Sequence, residues 1–344
     1  MHQKAQEPLP GCFSASSMAT PDCCSCTVSP RTPTPRPTIC QVLQAYLTRV
    51  IQPLDLTGQI AYGTPTIFGG HADVSRGIWR VHRNQPSVAV KVIRSPAASS
   101  TEYELKRYDK RRRREVQVWK RLRHQNIVHL LGTATDFPCR MLQGSPRPVA
   151  LVSPWMERGN LKDLLSRGSI YSISDLLQLL CGVAEGLNYL HCKSVIHADL
   201  HPGNILIHDD GHPCLTDFGQ SSINAEFAGT SYFSTTMCAA IRWCAPELIP
   251  PQGGVIGFIP RLTSACDIFS FGNVMLQVLS NKLPYYNIER DSYVLISMRN
   301  QRPERPPRLS DVHWEFIQSC WGFTPSSRPT AGMVHQSLLT LCNK

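Results

Sequence analysis

Five polar residues stand at spacings that suit one kind of chemistry. In "VIHADLHPGNILI", Val195 to Ile207, a His is followed two residues later by Asp199 and five further on by Asn204, all between apolar flanks. Lys91 closes the apolar alternation of "SVAVK", Glu115 lies in the basic segment that follows, and Asp217 sits in "LTDFGQ". Phosphoryl transfer from ATP needs a cation against the triphosphate, oxygen ligands for Mg2+ and a base for the proton of the attacking hydroxyl. Lys91, steadied by Glu115, would be the cation. Asp217 and Asn204 would be the oxygen ligands, because Mg2+ takes one or two protein carboxylates and shares substrate phosphates. Asp199 is then left to orient the hydroxyl and accept its proton. Each residue alone has a plainer reading: a lysine snorkelling off a sheet edge, a solvated helix glutamate, an aspartate in a common turn. The order of the five carries the argument.

Those residues need elements to hold them. From Tyr62 to Ile93 the pattern is that of strands, with "DVSRGIWRVH" and "SVAVKVI" joined by a turn at Pro86 into an antiparallel hairpin. The run "KRYDKRRRREVQVWKRLR", Lys106 to Arg123, reads as a helix: Glu115, Val118, Trp119 and Leu122 fall at i, i+3, i+4 and i+7. "NIVHLLGTAT" and "PVALVSPW" read as two more strands. After Gly159 the chain turns helical. "SISDLLQLLCGVAEGLNYLH" has a start signal at Ser174, with Asp175 in its first turn, and a broad apolar stripe. The stretch around Asp199 reads as two short strands and a tight loop, followed by a Ser/Thr-rich loop from Gln220 to Ala240 and helices to Lys344. Ahead of this body, residues 1–38 read as a disordered Pro/Ser/Thr-rich tail, and 39–59 as a short helical lead-in whose helix ends at Pro53. The expected class is α+β: a β-rich lobe with one helix over about 60–154, and a larger, mainly helical lobe over about 155–344.

Composition narrows the function classes. The chain has 344 residues, 42% hydrophobic and 17% charged, which describes a globular protein with a core. The net charge of +10 sits largely in the run from Lys106 to Arg123. A nucleic-acid binder would pair such a run with a matching fold or stacking aromatics. Neither is evident, so nucleic acid is not expected as a partner, and the run reads as a solvated helix face or a nuclear-import signal. Fourteen cysteines are scattered, Cys181, Cys192, Cys214, Cys266 and Cys320 among apolar segments, as free thiols rather than a disulfide framework. "CCSC" at Cys23 to Cys26 lacks a second pair at zinc-ligand spacing. No secretory signal is evident, and no apolar run reaches the length of about 18 residues that a membrane span needs. An intracellular, cytoplasmic protein is expected, as a monomer or transient dimer.

The ordered motifs resemble a eukaryotic protein kinase over about residues 60–342. "CAPELI" is similar to the A-P-E segment of that family, "CDIFSFGNVMLQVLSNKLPYY" to its D-x-W-S-F-G helix with Phe269 for Trp, and "CWGFTPSSRP" to its late C-W-x-x-x-P-x-x-R-P motif. "IRWCAPE" and "MERGNLKDLL" resemble the tyrosine-kinase-like branch, and "LDLTGQI" resembles the expanded families of mushroom-forming fungi. The resemblance implies a bilobal kinase fold, ATP and Mg2+ as cofactors and a protein substrate. It implies a buried Glu247–Arg328 ion pair, Ser153 as gatekeeper and Pro154 to Met156 as a hinge. The Pro154 carbonyl and the Met156 amide would hold the adenine edge, and Val74, Ala89 and Leu206 would sandwich the ring. His197, Phe218 and Trp119 would form an internal apolar column, with His197 a packed core histidine rather than a base.

The chain departs from that pattern in four places. The Gly-rich loop becomes Ile67-Phe68-Gly69-Gly70-His71-Ala72, with Gly69 and Gly70 left to let backbone amides approach phosphate. Ala198 replaces the Arg that pairs with a phosphorylated activation loop, so activity is expected not to depend on that pair. His201 stands where Ser/Thr kinases carry Lys, and is expected to be cationic for part of the time near neutral pH. Ala239 and Ala240 replace the usual Gly-Thr. The expected activity is transfer of the ATP γ-phosphate to protein Ser/Thr, with Tyr as a further acceptor, at a reduced rate. Two alternatives stay open: a pseudokinase scaffold that binds nucleotide without turnover, and a small-molecule phosphotransferase, since "HADLHPGNIL" also resembles the H-G-D-L-H-P-G-N segment of aminoglycoside-type enzymes.

Overall fold

The computed structural model describes residues 54–68, 72–93, 101–137, 149–168, 171–219, 221–223, 240–249 and 262–342. Its first half is a six-stranded sheet of order β1-β5-β6-β4-β3-β2, in which β1 is Leu54–Asp55, β2 Ile60–Phe68, β3 Ala72–Trp79, β4 Ser87–Ile93, β5 Gly132–Ala134 and β6 Ala150–Pro154. The hairpin around Pro86 forms as its alternation predicts, with Val74 opposite Lys91 and Arg76 opposite Ala89. The even positions Val88, Val90 and Val92 turn into a core with Leu56, Ile60, Trp79 and Val152. The odd positions Ala89 and Lys91 therefore share the opposite face.

The single helix of this half among the described residues, α1, is Glu102–Trp119. The stripe read from its sequence is buried: Glu115 is 1% exposed, Val118 0%, Trp119 2% and, in the turn just beyond, Leu122 1%.

The second half is helical. It contains α2 Leu161–Ser166, α3 Ile173–Cys192, α4 Ser264–Ser280, α5 Asp291–Ser297, α6 Asp311–Cys320 and α7 Ala331–Cys342. Helix α4 is buried from Cys266 through Val278, so it runs as the axis of this half rather than along its surface. Trp321 packs against Phe269 of α4 with ring centres 6.3 Å apart.

Three details differ from the sequence reading. Past Pro53, within the lead-in, Leu54–Asp55 joins the sheet as a strand, pairing in parallel with Gly132 and Thr133. A β-carbon on Gly132 would overlap the Leu54 carbonyl oxygen, so this approach requires glycine. Helix α3 starts at Ser172, not Ser174; Ser172 Oγ accepts from the Asp175 N–H at 3.1 Å and the Asp175 carboxylate accepts from the Ser172 N–H at 3.0 Å. That reciprocal box needs the acid three residues after the cap, which excludes Ser174. "NIVHLLGTAT" is regular only at Gly132–Ala134, because Val128 instead donates to the Leu215 carbonyl from the other half at 2.9 Å. The tail (1–38), the rest of the lead-in and Cys23 to Cys26 lie outside the described residues.

One ion pair ties the helical half together. Arg328, with its side chain 0% exposed, donates to both oxygens of Glu247 at 2.6 and 2.9 Å, and also to the carbonyls of Gly322 and Ala265. Burial works to raise the Glu247 pKa, and Arg328 outweighs it, so the carboxyl is held below its usual range. Removing one partner leaves a buried charge with no counterion. Arg328→Ala is therefore expected to lower unfolding free energy by about 3–5 kcal/mol, read from urea denaturation; a loss under about 1 kcal/mol would contradict the pairing as a structural clamp.

Candidate active site

The site is built where the two halves meet. Lys91 leaves β4 at its centre and is nearly buried. Its ammonium lies 2.7 Å from Glu115 of α1 and 2.9 Å from Asp217. Burial alone would push the Lys91 pKa down, but the two carboxylates outweigh it and the net shift is upward, so the ammonium stays charged. Ala89, Leu151 and Ser153 share this face of the sheet, since Lys91 pairs with Leu151 and Ala89 with Ser153 across β4 and β6. Val74 joins them as the cross-strand partner of Lys91, and it is half-buried like Ala89. Ser153, Pro154 and Met156 are buried where β6 ends. Gly69, Gly70, His71 and Ala239 lie outside the described residues.

The segment around Asp199 is flanked by two short strands, as its sequence suggests. They do not pair with each other: β7, Val195–Ile196, pairs with β10, Ser222–Ile223, while β8, Ile205–Ile207, pairs with β9, Pro213–Leu215. The half-buried Leu206 lies in β8. Between β7 and β8, Asn204 Nδ2 donates to the Asp199 carbonyl at 2.9 Å and, weakly, to its carboxylate at 3.4 Å. The amide nitrogen being committed there, the Asn204 side-chain oxygen is the end left for accepting. Asp217 follows β9 in the left-handed region, φ +64°, with its Oδ1 accepting from the Gly219 N–H at 3.2 Å. A local bond of this kind is what lets an aspartate occupy that region. One carboxylate and one amide oxygen form a hard donor set that suits Mg2+, with the remaining ligands to come from phosphate and water.

His197 is a core histidine. Its Nε2 donates to the Thr216 carbonyl at 3.0 Å, and its Nδ1 accepts from the Asp199 N–H at 3.3 Å, so one neutral ring spans the base loop and the residue before Asp217. Burial lowers its pKa. Phe218 packs between it and Trp119 with tilted rings, centres 5.6 and 5.8 Å away, forming the expected apolar column.

His201 corrects an expectation. Its Nδ1 accepts from the Gly203 N–H at 3.1 Å, capping the short turn Pro202–Asn204, and its ring lies 5.9 Å from that of Trp243. Burial lowers its pKa to about 4, so the ring is neutral at pH 7 rather than partly cationic. It can donate from Nε2, but it does not replace a lysine's charge.

Two organising residues lie within the quoted motifs "CDIFSFG" and "IRWCAPE", which by themselves do not disclose what they hold. Asp267, 1% exposed in α4, accepts from the backbone N–H groups of His197 and Ala198 at 2.9 and 2.8 Å and bonds His191 at 2.8 Å. A carboxylate inside a largely apolar helix is itself a signal, because burial without hydrogen bonds is costly. Arg242 donates to Asp291 at 2.8 Å and to the carbonyls of Pro284, Tyr285, Ile288 and Glu289. Nothing in its local sequence announces that role.

A two-half architecture with Lys91, Glu115, Asp199, Asn204 and Asp217 converging at the junction is that of a protein kinase. The family model described as "Protein kinase domain" matches residues 68–339, and the chain belongs to that family. It is 28% identical over 274 residues to the serine/threonine/tyrosine-protein kinase HT1 of Arabidopsis thaliana, covering 79% of this chain and 63% of that protein. It is 30% identical over 257 residues to a probable serine/threonine-protein kinase of Dictyostelium discoideum, covering 73% of this chain and 23% of that one. It is 25% identical over 276 residues to the tyrosine-protein kinase transforming protein Abl of Abelson murine leukemia virus, covering 79% of this chain and 33% of that one. The chain thus spans less than two thirds of the length of each of these relatives.

The charge state of His201 is open to direct measurement. An unfolded histidine titrates near 6.5. Between pH 6.5 and about 4 the unfolded chain takes up a proton that folded His201 refuses, so acidification through that window costs stability. An NMR titration of the His201 ring is expected to give a midpoint of about 4, and His201→Asn should flatten the fall in stability across the window. A midpoint at the ordinary value would reject the neutral ring.

Proposed function

We propose that this chain is an active, ATP- and Mg2+-dependent protein kinase of the tyrosine-kinase-like branch, transferring the γ-phosphate to protein Ser/Thr hydroxyls, with Tyr as a further acceptor. The observation that carries the reading is the Lys91 ammonium held between Glu115 and Asp217 at 2.7 and 2.9 Å. In that arrangement Lys91 is presented to the phosphates already charged. Asp217 and the Asn204 oxygen hold the metal, which supplies charge neutralisation on the phosphates when bound. Asp199 orients the substrate hydroxyl and takes its proton.

The Pro154 carbonyl and Met156 N–H receive the adenine edge. Pro154 loses nothing there, because that position asks only for an acceptor. Val74, Ala89 and Leu206 close on the ring, and Gly69 and Gly70 give backbone amides access to phosphate. The resemblance of "LDLTGQI" to the expanded families of mushroom-forming fungi supports grouping the chain with them. We assign it to the cytoplasm, with the basic face of α1 as a route to the nucleus, and to a monomeric or transiently dimeric state. A scaffold without turnover is disfavoured, since none of the five polar residues is lost.

The test is phosphate transfer by the purified chain with labelled ATP and Mg2+, to itself or to a generic protein. Asp199→Asn, Lys91→Met and Asp217→Ala are each expected to lower the rate by about 100-fold or more with the fold intact. Equal transfer by the parent and the Asp217 variant would sink the proposal, and binding of Mg·ATP without transfer would move the chain to the scaffold reading.

A further inference from the structure

The five-residue turn between β8 and β9, "HDDGH", brings two imidazoles and a carboxylate together at the end of the hairpin away from Asn204 and Asp217. Its closure is tight. The His208 N–H donates to the His212 carbonyl and the Gly211 N–H to the His208 carbonyl, both at 2.9 Å, with Gly211 at φ +101°, where only glycine sits without strain. The two rings stack 4.3 Å apart, 24° from parallel. His208 Nδ1 and His212 Nδ1 lie 2.9 and 2.5 Å from the same Asp210 oxygen. One donor atom from each of the three residues lies within 4.8 Å of the others.

The hydrogen bonds around the cluster orient both rings toward Asp210. His212 Nε2 lies 3.1 Å from the Gln125 carbonyl oxygen, which can only accept, so Nε2 carries the hydrogen. In the neutral ring, His212 Nδ1 is then a lone pair, and it faces an anionic oxygen. His208 Nδ1 lies 2.9 Å from the Asp210 oxygen, and the Asp210 N–H reaches the same nitrogen only at 3.4 Å, so this ring too presents Nδ1 to the carboxylate. Two ring nitrogens thus converge on one carboxylate oxygen, an arrangement that a cation among the three groups satisfies. A ring whose far nitrogen donates to a backbone carbonyl is also the usual support of a metal-bound histidine, because it fixes the tautomer and the ring plane.

We propose that His208, Asp210 and His212 form a binding site for a Zn2+-class transition-metal ion, separate from the active-site metal. Two imidazoles with one carboxylate suit Zn2+ and its neighbours, whereas Mg2+ and Ca2+ prefer oxygen alone. Tetrahedral binding at ordinary Zn–N and Zn–O lengths would set the donors about 3.4 Å apart. The cluster opens to that by a swing of Asp210, whose side chain is 61% exposed, and water completes the coordination. Bound there, the ion would clamp the turn of the hairpin that carries the two Mg2+ ligands at its other end.

The experiment reads metal, not catalysis, so its failure is distinct from that of the kinase assignment. The full chain is titrated with Zn2+ against a chromophoric chelator in excess Mg2+, beside His208→Ala/His212→Ala and Asp210→Asn, with folding followed by circular dichroism. The parent is expected to bind one more Zn2+ per chain than the double variant, whatever the tail cysteines contribute to both. Asp210→Asn, a mild change at an exposed position, should weaken that site by on the order of 10–100-fold. Equal stoichiometry and affinity in parent and variants would overturn the site and leave a proton as the cation of the cluster. So would displacement of the bound Zn2+ by millimolar Mg2+.

Discussion

Lys91 is one ammonium held by two carboxylates that come from different parts of the chain. Glu115 arrives on α1, and Asp217 on the segment after β9, while the lysine belongs to the middle of the sheet. Neither Lys91 nor Glu115 could occupy its place alone at low cost. A buried ammonium pays a large desolvation penalty, and a buried carboxylate does the same. The contact is therefore cooperative: it fixes how far α1 stands from the sheet and which way Asp217 faces. The apolar column beside it enforces the same geometry by packing. Trp119, one turn beyond Glu115, bonds the Val128 carbonyl at 2.6 Å and meets Phe218, the neighbour of Asp217. Charge and packing thus hold the same two elements at adjacent positions, so a shift of α1 would have to break both.

The base loop is anchored from beneath. Asp267 takes the N–H groups of His197 and Ala198, and Ala198 is held at φ +67°, a region that costs a non-glycine residue energy unless its surroundings impose it. Hydrogen bonds from His191 and Ala198 keep the Asp267 carboxyl below its usual range against a burial effect that would raise it. The loop thus takes its shape from groups buried inside the helical half. Ala198 carries no side-chain charge that a distant phosphate could pull on, which fits a loop shaped by its floor.

How much of this was legible depends on range. The stripe from Glu115 to Leu122 and the alternation in "SVAVKVI" are local patterns, and both stand in the structure as read. The Glu247–Arg328 pair and the His197–Phe218–Trp119 column came from the family resemblance, and the geometry bears them out. The misses are long-range or depend on burial. Leu54–Asp55 meets Gly132 and Thr133 across a separation that no local pattern encodes. Ser172 and Ser174 are the same residue type, and only the reciprocal bond with Asp175 separates them. The charge of His201 depends on what covers it, and Arg242 collects carbonyls from a segment more than forty residues away. The glycines Gly69 and Gly70 lie outside the described residues, so their part in the site rests on sequence.

The two metal-ligand candidates are not independently placed. Asn204 directly precedes β8, and Asp217 lies two residues beyond β9. The ladder runs Ile207 to Pro213, Leu206 to Cys214 and Ile205 to Leu215, and continues as the Thr216 N–H donating to the Asn204 carbonyl at 3.0 Å. The spacing of the two oxygen donors is therefore one step of an antiparallel ladder. A slip of one residue in such a ladder turns every side chain to the other face. Here it would move Leu206 off the cleft and Asn204 away from Asp199 in the same motion. The register is fixed at both ends, by the tight turn at Gly211 and by Leu215, whose N–H and carbonyl bond Asn126 and Val128 at 2.8 and 2.9 Å. Two three-residue strands and a five-residue turn thus do for Asn204 and Asp217 what Asp267 does for Asp199. The catalytic set is precise because each member is tied to backbone that the core has already fixed.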